Sequence, residues 1–488
     1  MGTNYKSDLA NNTIWNTIEN YSMIGIQLLC TFILARFLSP ADFGIIGMLA
    51  VFTTIAQTVI DSGFAQAIIR EKDINNKDYS TIFYFNTGIA IIIYILLYFS
   101  APFIAIFYNL PQLIDICRVL FLVVLFNSLC IIQTAKLRRE LCFKKLCIIS
   151  ICASVISSIA AIIAASYLKN VWAIVIQMTL SYFLRSMLLF IIAKWHPDFF
   201  FSWEILHKYF QFSKNLLLSG LVGNIFNNIY AILIGRFYTA TELGYFSQAD
   251  RLRNVSSHTS TSVIQNVTYS IFSKMNNESS NLLNAYKKVI SISLIYVGGI
   301  VTLLMCVAED LFQLVMGSEI WRISGRYLFY LGTAGILFPL HSINQNILLV
   351  KGKSRDILYL EIARRSIMLL ILFITIHYNI SIFILGYSLY SVLLLFLNLY
   401  FCGKPINYTL GQQLKDIFPI LLRFVFIICT SLLTNHMLRD FTISFRFIIT
   451  SFLCIFIGLI LFLRNQYFME LLSCMKSLIH KKANIKNV

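Results

Sequence analysis

Apolar runs of about 20 residues recur from end to end of the chain, separated by short polar segments. Each run is long enough to cross a hydrocarbon core about 30 Å thick as a helix. The runs fall at 13–34, 43–66, 80–100, 116–135, 146–168, 171–193, 209–235, 244–271, 288–308, 323–350, 357–377, 380–401, 416–436 and 444–463. They do not alternate polar with apolar positions, as strands of a membrane barrel would. The pattern predicts an all-α integral membrane protein with about fourteen transmembrane helices.

Two of the joining segments read alike at a fixed offset of 200 residues. Ala35-Arg36-Phe37-Leu38-Ser39-Pro40-Ala41-Asp42-Phe43-Gly44 aligns with Gly235-Arg236-Phe237-Tyr238-Thr239-Ala240-Thr241-Glu242-Leu243-Gly244. Arg, Phe and Gly are identical, and small, hydroxyl and acidic positions recur in step. Residues 1–200 and 201–403 then form two repeats of six spans each. An even number of spans keeps both repeats in one orientation, with an axis along the membrane normal, as in parallel-repeat transporters. Residues 404–488 hold an appended pair of spans and a basic tail. The polar, aromatic segment from Lys194-Trp195-His196-Pro197-Asp198 to Lys208 joins the repeats.

Composition fits this reading. The chain is 58% hydrophobic and 12% charged, about half the charged share of a water-soluble domain. A net charge of +17 suggests nucleic acid until its distribution is considered. Basic residues gather in alternate joining segments: Arg70, Lys72 and Lys77; Lys136, Arg138, Arg139, Lys144 and Lys145; Lys274, Lys287 and Lys288; Lys351, Lys353, Arg355, Arg364 and Arg365; and the tail with Lys476, Lys481, Lys482 and Lys486. The opposite segments hold few, Arg36, Arg118, Lys169 and Arg236 among them. Such asymmetry orients a membrane protein with its basic side in the cytoplasm, where it meets anionic lipid. Both termini are expected there, and no nucleic-acid partner is implied. The start is not that of a signal peptide. The 11 cysteines show no CxxC spacing and read as small core hydrophobes, so no metal or cofactor is expected. Segments outside the spans reach only about 20 residues, too short for a catalytic domain. No nucleotide-binding or HExxH motif is present.

Leu34–Gly44, then Asp61-Ser62-Gly63-Phe64-Ala65-Gln66-Ala67-Ile68-Ile69-Arg70, and Leu243-Gly244-Tyr245-Phe246-Ser247-Gln248-Ala249-Asp250-Arg251-Leu252 resemble the polysaccharide-transport, or oligosaccharide flippase (Wzx/WzxC-type), family. Its wider superfamily includes the MATE exporters and the lipid II flippase MurJ. The resemblance covers nearly the whole chain in span count and repeat layout. It implies a V-shaped, two-lobed transporter of the bacterial inner membrane. The implied substrate is sugars joined through pyrophosphate to undecaprenyl lipid, moved from the inner to the outer leaflet. Polysaccharide polymerase and glycosyltransferases are the implied partners, and the appended spans are the implied groove for the lipid tail.

The repeated motif itself reads as a well-made hairpin, with a hydroxyl at the N-cap and an acid in the first helical turn. Gly44 and Gly244 permit close helix approach. Ionisable groups within spans are the better candidates for function, because in lipid they face a bundle interior or a wet cavity. Arginine's planar fork suits a pyrophosphate, which makes Arg251 and Arg253 the first candidates for gripping a headgroup, then Lys214 and Arg185. Asp250 and Arg253 are three apart and can pair, leaving Arg251 about 100° away. Lys214 has a simpler reading, snorkelling to the interface. Asn227, Asn228 and Gln57 are candidates for sugar hydroxyls. Glu19, Asp61 and Asp250 are candidates for coupling, since a carboxylate in an apolar site can carry a proton; Asp61 has capping or pairing as its plainer reading. His341, Asn344, Gln345 and Asn346 beside Pro339 read as a hydrogen-bonded hinge.

Two rival functions differ from this in what they require. A MATE-like cation or drug antiporter would favour an acidic cleft, whereas these candidates lean basic. A membrane polysaccharide polymerase or ligase would need a long external loop, and the longest here is about 15 residues. A cysteine placed by Arg355→Cys is expected to react with an impermeant maleimide only from the cytoplasmic side; reaction from outside inverts the topology. Arg251→Ala is expected to insert normally but lose transport, and Arg251→Lys to keep part of it, scored as surface polysaccharide in complemented cells.

Overall fold

A computed structural model describes residues 2–71, 73–276, 279–470 and 473. The tail lysines Lys476, Lys481, Lys482 and Lys486, and Lys72, lie outside the described residues. Every regular element among those described is helical. The chain divides into two compact units, Met1–Gly244 and Tyr245–Val488.

In the first unit the helices are α1 (Gly2–Leu34), α2 (Pro40–Asp61), α3 (Phe64–Arg70), α4 (Asn76–Tyr108), α5 (Leu113–Leu120), α6 (Leu122–Arg139), α7 (Phe143–Leu168), α8 (Trp172–Ala193), α9 (Trp203–Asn227) and α10 (Ile229–Phe237). Helix α11 (Ala240–Asn254) starts in this unit and runs into the second. There it continues through a π-helical turn, Val255–Thr259, into α12 (Ser260–Lys274). The second unit then holds α13 (Ser279–Met316), α14 (Arg322–Val350), α15 (Ser354–Thr375), α16 (Ile380–Gly403), α17 (Leu410–Met437) and α18 (Ile443–Phe462).

Among the described residues, eleven helices or helix pairs are long and apolar enough to cross a membrane. The runs at 244–271, 323–350 and 357–377 are helical too, but more polar. Helix α4 shows why lipid is the solvent. Ile92, Leu96, Phe99, Phe103 and Ile106 repeat at helical spacing and stand exposed, Phe103 by 73%. Such a stripe is stable only against hydrocarbon.

Local chemistry sets the breaks. At the α2 start, the Asp42 carboxylate accepts from the Ser39 backbone N–H at 2.9 Å and from its hydroxyl at 2.7 Å, with Pro40 at the first helical position. In the second copy, the Thr239 hydroxyl accepts from the Glu242 N–H at 3.1 Å. The apolar pattern runs one span over 43–66, but the structure divides it: Ser62 and Gly63 adopt φ of 43° and 77°. Glycine makes the second of these left-handed steps without steric cost. The span at 209–235 is likewise interrupted at Asn228, and the one at 244–271 carries the π-turn.

An aromatic cluster of Phe64, Tyr79, Phe83, Trp195 and Tyr209 anchors one end of the first unit. The segment after α8 is tied onto α4 there: Trp195 donates to the Asn76 carboxamide, Asn76 to the Asp198 carboxylate, and the Asp198 N–H to the Ser80 hydroxyl at 2.9 Å. In the second unit the polar face of α14 bonds outward in several directions. His341 meets Ser391 at 3.0 Å and Asn398 at 3.1 Å; Tyr286 donates to Asn344 at 2.6 Å; Asn346 donates to the Gln265 carbonyl at 2.8 Å. The described cysteines are free thiols, with Cys30, Cys130, Cys306 and Cys454 buried.

Helices α17 and α18 pack on α13. The join carries a buried ion pair, Arg446 of α18 with Asp310 of α13, in which Nε and one terminal nitrogen of the guanidinium donate to the two carboxylate oxygens. Beside it Asn435 donates to the Cys306 carbonyl at 3.0 Å and accepts from Thr450 at 2.8 Å. Removing one partner of a buried pair leaves the other charge uncompensated, at about 3–5 kcal/mol. Arg446→Met is therefore expected to lower the apparent melting temperature in detergent by several degrees, and Asp310→Leu added to it to restore part of the loss. Equal stability of wild type and Arg446→Met would show that the pair does not hold the helices.

Candidate functional site

The first unit holds an open cavity of about 680 Å³ between α2, α3, α6, α8 and α9. Its polarity comes from stripes on separate helices. On α2 the wall is Thr54, Gln57, Thr58 and Asp61, spaced i, i+3, i+4, i+7 and so on one face. On α6 it is Asn127, Thr134 and Arg138, spaced i, i+7, i+11, again one face of a 3.6-residue helix. Helix α8 contributes Arg185, and α9 contributes Ser219, Gly220 and Asn224.

Hydrogen bonds fix part of this wall. Asn224 of α9 donates to the Thr58 hydroxyl of α2 at 2.6 Å. Gly220 lies one turn before it, where a Cβ would come within 2.9 Å of the Thr58 methyl group. Gln57 donates to the Tyr182 hydroxyl at 3.3 Å. The Thr54 and Thr58 hydroxyls donate to carbonyls of the preceding turn, which leaves their oxygen lone pairs turned outward.

The charges are unequal. Arg138 and Arg185 are cationic and Asp61 is the one carboxylate of the lining. Among the described residues no ion pair holds either guanidinium. Arg138 lies in the electrostatic field of Asp61, whose Oδ1 is buried without a hydrogen-bond partner. The wall thus offers two planar cationic donors, four carboxamides (Gln57, Gln66, Asn127 and Asn224) and several hydroxyls. Such a set has the chemistry to hold a phosphate and polyhydroxyl groups, with one carboxylate to compete for the cations.

The structure brings Gln57, Asp61 and Arg185 together here. The other candidates read from the sequence stand elsewhere. Lys214 and Asn227 are exposed on α9. Asn228 caps that helix, its amide donating to the Asn224 carbonyl at 2.8 Å. Glu19 is buried on α1 and accepts from Ser150 of α7 at 2.7 Å. In the second unit Arg253 is buried, pairs with Asp250 at 2.6 Å, donates to Asn254 at 3.0 Å and lies 4.6 Å over the Tyr387 ring. Arg251 is half-buried two residues before it on the same turn. Arg138, Asn127 and Thr134 belong to the site without having stood out in the sequence, and Asn224 belongs to it as a polar position of the span from which only Asn227 and Asn228 were taken as candidates. The spacing of the α6 stripe was the available signal for the first three. A separate apolar recess of about 180 Å³ lies among α13, α17 and α18, lined by Leu303, Phe424, Leu459 and Phe462.

A basic, hydroxyl-rich cavity of this kind sits in a chain with known relatives. The sequence model of a family described as polysaccharide biosynthesis protein matches residues 33–324. The chain is 28% identical over 346 residues to the teichuronic acid biosynthesis protein TuaB of Bacillus subtilis, covering 70% of this chain and 71% of that one. It is 22% identical to the lipopolysaccharide biosynthesis protein WzxC of Escherichia coli, covering 70% and 69%. Among solved structures it resembles the lipid II flippase MurJ in an inward closed conformation, with a TM-score of 0.73 at 14% identity, covering 92% of this chain and 98% of that one.

Proposed function

The chain belongs to the polysaccharide biosynthesis protein family, and from that membership we propose how it works: the cavity of the first unit holds the anionic headgroup of a lipid-linked oligosaccharide while the protein carries it across the membrane. The protein is a multi-pass transporter, a flippase and not an enzyme. The observation that carries the headgroup assignment is the pair Arg138 and Arg185 on a wall whose other polar side chains are amides, hydroxyls and the single Asp61 carboxylate. A pyrophosphate carries charge to match both cations, and sugars match the rest.

The movement is from the inner to the outer leaflet of the bacterial inner membrane, by alternating access, with both termini cytoplasmic. Residues 1–200 and 201–403 are the repeats that exchange access, and 404–488 the addition that accommodates the tail. The apolar recess of α13, α17 and α18 supports that last role. Gln57, Asn127 and Asn224 are the sugar-facing amides; Asn227 and Asn228 are placed near the same helix end. Arg251, Arg253 and Lys214 remain secondary cations for the headgroup, since the charge of Arg253 is already matched by Asp250. For coupling, Asp61 is favoured by its place in the cavity. Glu19 is a buried carboxylate whose partner is a neutral hydroxyl, and Asp250 is committed to Arg253. Polymerase and glycosyltransferases would supply and consume the cargo. A cation or drug antiporter is disfavoured by two arginines against one aspartate.

Losing one charge-assisted contact costs about 1.5–3 kcal/mol, roughly 10- to 100-fold in affinity. In cells lacking the gene, undecaprenyl-linked units are expected to accumulate and surface polymer to disappear. Wild type restores both, Arg138→Ala and Arg185→Ala restore little, and Arg185→Lys restores part. Full restoration by the two alanine variants at normal expression would remove the headgroup from this cavity.

A further inference from the structure

The two copies of the repeated motif meet each other. Gly44 lies in the second turn of α2, four residues after Pro40, and Gly244 holds the same place in α11, four residues after Ala240. The helix starts cross so closely that a Cβ added to Gly44 would lie 1.7 Å from the carbonyl oxygen of Ala240. A Cβ on Gly244 would lie 1.8 Å from the carbonyl oxygen of Pro40. The contact is reciprocal: position 44 meets position 240, and position 244 meets position 40. Equivalent positions of two like segments contact in this way about a local two-fold axis.

The groups met are backbone, so no rotamer change makes room for a side chain. Glycine is required at both positions for the helices to touch. What glycine permits is a contact of Cα–H groups with carbonyl oxygens, which is weak and can form and separate repeatedly. Leu38, Phe43 and Leu243, next to the crossing in sequence, are buried. Ten residues further along α2 comes Thr54, the first of the cavity wall, a distance of about 15 Å along a helix. One helix therefore carries the crossing at its start and the polar wall in its second half.

We propose that the Gly44–Gly244 crossing is the closed gate at this end of the transport path, and that these glycines position the two helix starts to meet when the cavity is shut on that side. By the charge pattern of the sequence this is the outer side. The proposal rests on the flippase reading for its purpose, but its test needs no substrate. Alanine normally raises helix propensity over glycine, so loss of function in an alanine variant would not come from a weakened helix.

The experiment uses the full chain with Ile131→Cys, a position on the cavity wall, labelled in intact cells by an impermeant maleimide and compared with the same chain retaining Ile131. Gly44→Ala and Gly244→Ala are each expected to raise the labelling rate from outside several-fold, and in the Ile131 background to reduce surface polymer. Gly88→Ala, where a Cβ meets nothing within 4 Å, is expected to leave both unchanged. Wild-type labelling in both variants at normal membrane abundance would overturn the proposal. Failure of both to accumulate in the membrane would overturn it too, by making the crossing a folding contact. If the flippase reading failed, cells lacking the gene would show no lipid-linked accumulation while the labelling contrast persisted.

Discussion

Hydrocarbon does not solvate amides, hydroxyls or charges, and that constraint organises this molecule. A polar side chain on a membrane helix has to meet another polar group or water. On α2 four such residues share one face, and on α6 three more do. Burying both faces against apolar neighbours would strand them. The helices instead turn these faces toward a shared cavity, where Asn224 reaches Thr58 and Gln57 reaches Tyr182. Lipid-facing surfaces, as on α4, keep exposed Phe99 and Phe103. The cavity is the consequence of where polarity was placed along the helices, and its charge follows from Arg138 and Arg185.

The same constraint separates structural charges from functional ones. Arg446 and Asp310 satisfy each other between α18 and α13, and Arg253 is matched by Asp250 and covered by Tyr387. These charges stabilise packing. Arg138 and Arg185 line open volume with a single carboxylate to share. Arg185 is half-buried within a span, where a cation without a carboxylate partner is costly unless a ligand or water completes it. Arg138 stands exposed at the end of α6 facing the same volume, so a site for an anion is the reading their placement supports. Weak contacts serve differently, and the backbone crossing at Gly44 and Gly244 holds without ionic commitment.

Much of this was legible in the sequence, for physical reasons that differ from residue to residue. The apolar runs predicted the helices because their period and length admit little else. Asp250 and Arg253 lie three apart, and the structure pairs them. Gln57 and Asp61 stood out as polar positions in a span, and Ser39 with Asp42 as a cap. Arg138 did not, because it sits in the basic cluster Lys136–Arg139, where charge reads as membrane orientation; only its register with Asn127 and Thr134 distinguishes it. Asn224 was passed over for Asn227 and Asn228, since the helix break at Asn228 changes which face each presents. The π-turn at Val255–Thr259 has no residue signature of its own. The two glycines read as sites of close approach, but their partners are 200 residues apart and only the fold brings them together.

Recognition of an anionic lipid headgroup by the arginine-lined cavity stands or falls on one affinity. It is that of the purified protein for undecaprenyl pyrophosphate, measured in detergent across a range of salt, for wild type and for the double variant Arg138→Ala/Arg185→Ala. Wild type is expected to bind saturably, more weakly as salt rises, and the double variant at least about tenfold more weakly, as the loss of charge-assisted contacts requires. Equal affinity in the two proteins would contradict a headgroup site at these arginines.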